Sequence, residues 1–412
     1  MTENIINVGI GFATGRKSFK KVLNTYAYNW RECGLTEMKK IRLSLFVAYD
    51  LKYSKTKSSD YTVLRDDISE LFENEYYIGK NEIDNITERL TYENIINGES
   101  AHILFESGYA AKRNAILFSA LEKGMDCVMF LDDDEYPLAV TNAHSVALWS
   151  GQHVLSSHLR NIKNADITNG CHCGYVSPVP YIRFNSDLTE DAFRRFIGSI
   201  SSDVLGWDSL REIINNGGVT YADTKVLSEN KISEVTQTNR CKFITGSNLC
   251  INLTRPKRVL PFFNPPGARG EDTFLSTCLA EHKVLRVPCY TFHDGFGVYK
   301  HLMDGVLPTN LKYITADASE VTERFYRACV GWIRYKPLYI YITDPKNYSD
   351  RIAADYEQLS ESLPGICKYF GRKDFMNLKY ELERYSKNVK KHSKYFSVAK
   401  SAWARIMEMF DL

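Results

Sequence analysis

The chain reads as an α/β protein: a Rossmann-like, mostly parallel central sheet flanked by helices, followed by a helical carboxyl-terminal extension. Three observations point there. Apolar runs of strand length at 5–13, 41–49 and 127–131 alternate with segments of helical periodicity. The run Cys127-Val128-Met129-Phe130-Leu131 is apolar throughout, as a strand covered on both faces requires. It ends in Asp132-Asp133-Asp134-Glu135, at a strand carboxyl end, where open α/β sheets place their ligands.

The elements follow in order. Residues 5–13 form a first strand, and a Thr14-Gly15-Arg16 turn leads into a helix with Phe19, Val22, Leu23 and Tyr26 on one face. Residues 41–49 form a second strand that ends in Asp50, and the polar stretch 51–100 carries helical segments near 67–75 and 81–96. A helix opens at Gly108 with Ala111, Ala115, Phe118 and Leu121 inward, and the strand bearing the acids follows it. After Pro137 the pattern predicts a helix near 146–162, a strand near 167–176, a helix opened by an Asp187/Glu190 capping box, and a Gly-, Asn- and Ser-rich insertion over 197–238. A strand or strand pair over 242–252, a proline-rich loop at 261–267, a Gly270-Glu271-Asp272 turn into a helix, and a strand over 284–289 come next. Beyond about 316 the pattern is helical and increasingly basic.

Composition narrows the partners. With 52 basic and 50 acidic side chains the net charge is +2, so nothing global favours nucleic acid. No run approaches the roughly 20 apolar residues of a membrane span. Ten scattered cysteines without a signal-peptide pattern predict reduced thiols in a cytoplasmic protein. Cys171-His172-Cys173 contains good zinc ligands but lacks a second ligand pair at structural-zinc spacing.

Four adjacent carboxylates repel one another, and a hard divalent ion with oxygen ligands, Mn²⁺ or Mg²⁺ carrying a phosphate, is their natural counter-charge; a solvated acidic turn is the plain alternative. The acids do not stand alone. The first strand and its turn, Asp50, the Gly-x-x-x-Lys-Arg-Asn helix start at Gly108, the acidic triplet, the Gly270-Glu271-Asp272 turn and a late His293 occur in this order. In that order they resemble the family-2-type glycosyltransferases with a GT-A fold, over roughly residues 3–300, with Asp132-Asp133-Asp134 as the DXD motif.

The resemblance implies a catalytic domain over 1–315, made of a nucleotide-binding half (1–136) and an acceptor-binding half (137–315), with 316–412 as the helical extension. It implies transfer of a sugar from a nucleotide donor, a UDP-sugar first, to a hydroxyl of a glycan or lipid-linked acceptor, with inversion favoured. Asp134 and Asp132 would grip the metal, with His293 completing its shell. Asp132 and Asp133 would also face the nucleotide, Asp50 the uracil, and Ala13, Thr14 and Arg16 would line its pocket. Arg113 and Asn114, at a helix start, would meet phosphate, or the Arg113 guanidinium would buttress the aspartates; a plain surface basic pair is the alternative. Asp272, beside Glu271, is the candidate general base, since the attacking hydroxyl must lose its proton.

Other classes compete. Gly9, Gly11 and Gly15 suit a dinucleotide loop, but Asp50 lies about 35 residues on, where about 20 is usual. The stretch Gly11–Lys17 echoes a nucleotidylyltransferase loop, and a haloacid-dehalogenase-type phosphatase would want its nucleophilic aspartate nearer the amino terminus. A non-catalytic nucleotide- or sugar-binding protein of the same fold would carry the same carboxylates. Lys387, Lys390, Lys391, Lys394, Tyr395, Phe396, Lys400, Trp403 and Arg405 interleave basic and aromatic residues, as a peripheral contact with an anionic membrane or a helix packed on the catalytic domain would.

Overall fold

The computed structural model describes residues 5–35, 40–106, 108–144, 146–201 and 206–411. The two apolar runs near the amino terminus become β1 (Ile6–Thr14) and β2 (Ile41–Tyr49), each followed by polar turns. Beyond them lie β3 (Asn74–Ile78), β4 (Cys127–Leu131), β5 (Glu135–Tyr136), β6 (Leu138–Ala143), β7 (Val146–Gly151) and β8 (Ile167–Gly174). The last three are β9 (Ser233–Glu234), β10 (Leu249–Asn252) and β11 (Val284–His293).

The central sheet runs β3-β2-β1-β4-β10-β8-β11-β5, with β9 on β11, and β6 and β7 form a separate hairpin. From β3 to β4 the strands are parallel, with Val8 opposite both Leu43 and Cys127. The second half corrects the expectation of a mostly parallel sheet: β10 is antiparallel to β4 and β8, and β5 and β9 are antiparallel to β11. The sheet is mixed. All four residues of β10 are buried, so an antiparallel strand covered on both faces carries the same apolar signature as a parallel one.

Connecting β4 to β5 forces a curl. Four inter-strand gaps separate them, about 19 Å in a flat sheet, whereas the chain from Leu131 to Glu135 reaches at most about 14 Å. The sheet therefore bends over its own carboxyl-end edge, and the acidic row crosses the concavity.

Side-chain alternation sends each strand's residues to two cores. Val8, Ile10 and Phe12 meet the helix Phe19–Glu32 on one face, with Met129 and Leu131. Phe46, Val128 and Phe130 meet the helix Gly108–Glu122 on the other. Gly9 and Gly11 lie inside β1, where a Cβ at Gly11 would stand 3.0 Å from Ile116 Cγ2 and one at Gly9 2.8 Å from Val128 Cγ2. Their role is close packing within a strand. Of the three glycines only Gly15 lies in the turn that follows the strand.

Other expectations are corrected locally. Residues 146–151, read as the start of a helix, are β7, and only Val154–Leu159 is helical. The stretch near 67–75 holds one short helix, Asp66–Ser69, and then β3. Thr189, not Asp187, caps the helix Glu190–Ile200, accepting from the Ala192 amide, while Asp187 pairs with Lys368. Within 242–252 only β10 is strand, and β11 runs on to His293 past an irregularity that includes Pro288. The insertion 197–238 carries the helices Trp207–Asn215 and Thr224–Glu229; its residues 202–205 lie outside those described.

The carboxyl-terminal helices Ser319–Thr343, Tyr348–Tyr369, Asn377–Lys387 and Val389–Glu408 share cores with the sheet half. Phe396 and Trp403, 4% and 1% exposed, pack among Phe105, Phe263 and Phe274, and the Trp403 indole donates to the Val259 carbonyl at 3.0 Å. Two of the aromatic residues that a membrane contact would use are thus turned inward, while Tyr395 is half-buried beneath Lys391 and Lys390, Lys391, Lys394 and Lys400 stay outside. No helix among the described residues is long and apolar enough to cross a membrane. Trp403→Ala is expected to cost about 3–5 kcal/mol through lost burial and a residual cavity, read as a lower denaturant midpoint at unchanged slope.

Candidate functional site

One cleft of about 800 Å³ opens at the curled carboxyl-end edge of the sheet, lined by the acidic row, the β1 turn, the start of the helix Glu271–Ser276, the end of β11 and the helix Ser319–Thr343. Ala13, Arg16, Arg113, Asp132, Asp133, Asp134, Glu271, Asp272 and His293, all singled out from sequence, line this one space.

The acids are matched largely by the chain itself. Arg16 Nη1 bridges Asp133 Oδ1 at 2.9 Å and Asp134 Oδ2 at 2.5 Å, and the Thr14 hydroxyl donates to Asp133 Oδ2 at 2.5 Å. Thr14 is therefore a tie between β1 and the acidic row rather than a lining residue. Arg113, 3% exposed and set against the rings of Phe130 and Phe262, donates to Asp132 Oδ1 at 3.1 Å and to the Gly246 carbonyl, with Glu271 Oε1 3.8 Å from its Nε. Glu135 accepts from Ser247 and Thr291 at 2.6 and 2.8 Å, with His172 Nε2 3.4 Å away. Much of the counter-charge that the sequence reading sought first in a bound divalent ion is supplied by arginines, Arg113 among them as a buttress of the aspartates.

Burial and mutual repulsion still leave a mark. Asp132 is pushed up to about 7 by burial against the opposing pull of Arg113, with Glu135 and Asp134 adding to the rise, although a third of its side chain remains open to the cleft. Asp133 is raised to about 6 by burial, which Arg16 only partly offsets. For Asp134 burial also acts upward, but His293 and Arg16 outweigh it and hold the carboxyl well below the usual range. His293 moves the other way, up to about 9, because Asp134 and Glu135 overcome its burial.

The Asp134–His293 contact bears on metal binding. His293 Nδ1 lies 2.8 Å from the Tyr175 carbonyl oxygen, an acceptor only, so Nδ1 must carry its proton. In the neutral ring Nε2 then presents a lone pair to Asp134 Oδ1, 3.4 Å away. Two acceptors facing one another call for a proton or a cation between them, and a histidine whose far nitrogen is fixed by a backbone carbonyl is arranged as metal-ligating histidines are. Among the described residues no group of three or more His, Cys, Asp and Glu is placed to hold an ion. Two protein donors nonetheless fit Mg²⁺ or Mn²⁺, which retain waters and take substrate phosphates.

Two further predicted residues stand elsewhere or act differently. Asn114, 1% exposed, donates to the Leu104 and Phe262 carbonyls and accepts from the Phe262 amide, so its amide is spent on packing the helix Gly108–Glu122. Asp50 lies outside the cleft; burial lifts its carboxyl, but the Lys52 amide and Lys112 ammonium outweigh this and hold it low. Asp272 does line the cleft. Its Oδ1 accepts from the Thr273 amide at 2.8 Å, and burial with repulsion from Glu271 pushes it up to about 6. The preceding Gly270 adopts φ +96°, and a Cβ there would also stand 2.9 Å from Tyr335, so only glycine presents this pair of acids.

Sequence reasoning missed Arg269 and Arg324, both lining the cleft and unpaired with any carboxylate among the described residues. Arg324 lies over Phe296 at 4.8 Å, its Nε is buried without a partner, and a Cβ on Gly295 would come 2.4 Å from its Nη2. Burial lowers its pKa, and Arg16 and Arg269 push the same way against Asp134. No local pattern marked these arginines, because Arg324 comes from a helix some 190 residues beyond the acids. Tyr53 and Tyr109, edge to face at 6.3 Å, close the β1–β2 end.

No protein-family model matches this chain. No curated protein sequence matches it either.

The linkage at Arg16 gives a direct test. Arg16 favours the ionised forms of both Asp133 and Asp134: its contribution through Asp133, which sits at about 6, fades as the pH falls through about 6, and its contribution through Asp134, held below its unfolded pKa, fades only below about pH 4. Arg16→Met is therefore expected to lower stability by about 2 kcal/mol at pH 7, with the gap to wild type starting to narrow near pH 6 and narrowing further below pH 4 in paired denaturant titrations.

Proposed function

We propose that the chain is a metal-dependent glycosyltransferase of GT-A type. It moves a sugar from a nucleoside-diphosphate donor, a UDP-sugar first, to a hydroxyl of a glycan or lipid-linked acceptor, with inversion at the anomeric carbon. The observation that carries this reading is the sharing of one cleft by the acidic row, two arginines without acid partners among the described residues, and a carboxylate of raised pKa at a helix start.

Each part has work in that reaction. Arg269 and Arg324, with Arg16, offer guanidinium forks to a diphosphate, whose planar oxygen pairs they match bidentately. Asp134 and His293 would hold Mn²⁺ or Mg²⁺, whose chemistry is to neutralise charge on the departing phosphate as a Lewis acid. The rings of Tyr53 and Tyr109 offer faces to the base at the nucleotide end. Asp272 accepts the proton of the attacking acceptor hydroxyl: at about 6 its pKa leaves it ionised at neutral pH yet more basic than an ordinary aspartate. Any approach to an anionic membrane would be electrostatic, through the outward lysines of the helix Val389–Glu408.

Two measurements test this. Asp272→Asn is expected to lower sugar transfer by about 10²- to 10⁴-fold while UDP binding is unchanged, and wild-type kcat/KM is expected to fall as the pH drops through about 6; wild-type transfer by the variant removes the base assignment. UDP is expected to raise the melting temperature more with Mn²⁺ than without, and Asp134→Ala to abolish the difference. A metal-independent shift in wild type removes the metal.

A further inference from the structure

The Cys171-His172-Cys173 motif, unsuited to zinc from spacing alone, takes another meaning in β8. Strand alternation puts its thiols on one face and the imidazole on the other. Cys173 is fully buried with its sulfur near the Leu138 and Thr291 carbonyls, and Cys171 packs in the same core, whereas His172 lines the cleft.

Hydrogen-bond accounting fixes the ring's protonation. The single Ser247 hydroxyl proton is donated to Glu135 Oε1 at 2.6 Å. Ser247 Oγ can then only accept from His172 Nε2, 3.2 Å away, and Glu135 Oε1, 3.4 Å from the same nitrogen, also only accepts. Nε2 must carry the proton. Thr291 holds the other Glu135 oxygen at 2.8 Å, so the carboxylate and the ring behind it are held from several sides. In the neutral ring Nδ1 is then the acceptor. It has no partner among the described residues and is not among the atoms sealed from solvent.

The ring's position says what it meets. Glu135 directly follows Asp134, and Ser247 follows Gly246, whose carbonyl holds Arg113 between Asp132 and Glu271. His172 thus stands on the floor between the acidic row and the Glu271–Asp272 turn, where a sugar passing from diphosphate to acceptor must lie. We propose that His172, fixed by Glu135 and Ser247, accepts a hydrogen bond through Nδ1 from one hydroxyl of the transferred sugar and so selects the donor. The inference rests on the glycosyltransferase reading and makes His172 a specificity residue of that site.

The two ring nitrogens can be tested separately. Glutamine places an N–H donor where Nε2–H stands and keeps the Glu135 contact, but offers no acceptor in place of Nδ1; asparagine places an oxygen near Nδ1 and gives up the donor. Calorimetry with Mn²⁺ first finds the tightest binder among UDP-glucose, UDP-galactose and their 2-acetamido counterparts, then compares it with its monodeoxy analogues. One deoxy analogue is expected to bind wild type roughly tenfold more weakly than its parent. His172→Gln is expected to bind both alike at the weaker level, His172→Asn to recover part of the difference, and UDP itself to bind all three proteins equally. Discrimination that persists unchanged in His172→Gln, or an equal loss of UDP affinity, overturns the proposal alone. Failure of every UDP-sugar to bind wild type overturns the glycosyltransferase reading and this proposal with it.

Discussion

Everything in the cleft follows from placing four consecutive carboxyl groups across the end of a curled sheet. Water would disperse that charge, but the row is largely withdrawn from water, so each acid needs its own compensation, and the four solutions differ. Asp133 takes a hydroxyl and a guanidinium, Asp132 a buried arginine, Glu135 two hydroxyls and a histidine, and Asp134 an arginine and a histidine. The consequence is unequal acidity within one row: Asp132 is pushed up and Asp134 held down although they are two residues apart. Such separation of neighbouring acids gives each a different chemistry.

The same constraint ties the carboxyl-terminal helices to the site. Arg324 stays in the cleft because Phe296 offers its ring face, Gly295 leaves room, and the core beneath the helix Ser319–Thr343 is packed by Phe325, Cys329 and Ile333. An extension that looked separable in sequence therefore supplies part of the electrostatic frame. Its last helix adds stability instead: Ala399, Trp403 and Ile406 join the same core as Phe130, the ring beside Arg113.

What was legible in the sequence depended on range. β1, β2, β4 and the helix Gly108–Glu122 announced themselves through local periodicity, and the acids at the end of β4 through their abrupt contrast with it. Strand direction in the second half was not legible, because burial on both faces erases the alternation that separates parallel from antiparallel partners. β7 was read as helix because its outward Val146 and Leu148 are as apolar as its inward Ala147 and Trp149, so the alternation of its faces leaves no apolar–polar pattern in the sequence. Asn114 looked like a phosphate ligand by position, yet the turn around Phe262, almost 150 residues on, claims its amide. Arg269, Arg324 and His172 share the opposite difficulty, since their meaning comes only from residues brought beside them by the curl.

The arrangement also couples anion and cation within the proposed reaction. Arg16 spans Asp133 and Asp134, so it cannot give its full fork to a diphosphate without loosening its hold on Asp134. Loosening that hold leaves more of the carboxylate's charge facing His293 Nε2, where a divalent ion would have to replace the proton that Asp134 helps the ring to keep. By reciprocity a cation in that gap weakens the claim of Asp134 on Arg16 and frees the guanidinium for phosphate. A nucleoside diphosphate and a metal would therefore each favour the other through one shared arginine, beyond any direct bond between phosphate and ion. A row of acids balanced by arginines would thus be compatible with the proposed metal dependence: Arg16 holds the acids together, and with an ion at Asp134 it would be freer to meet phosphate.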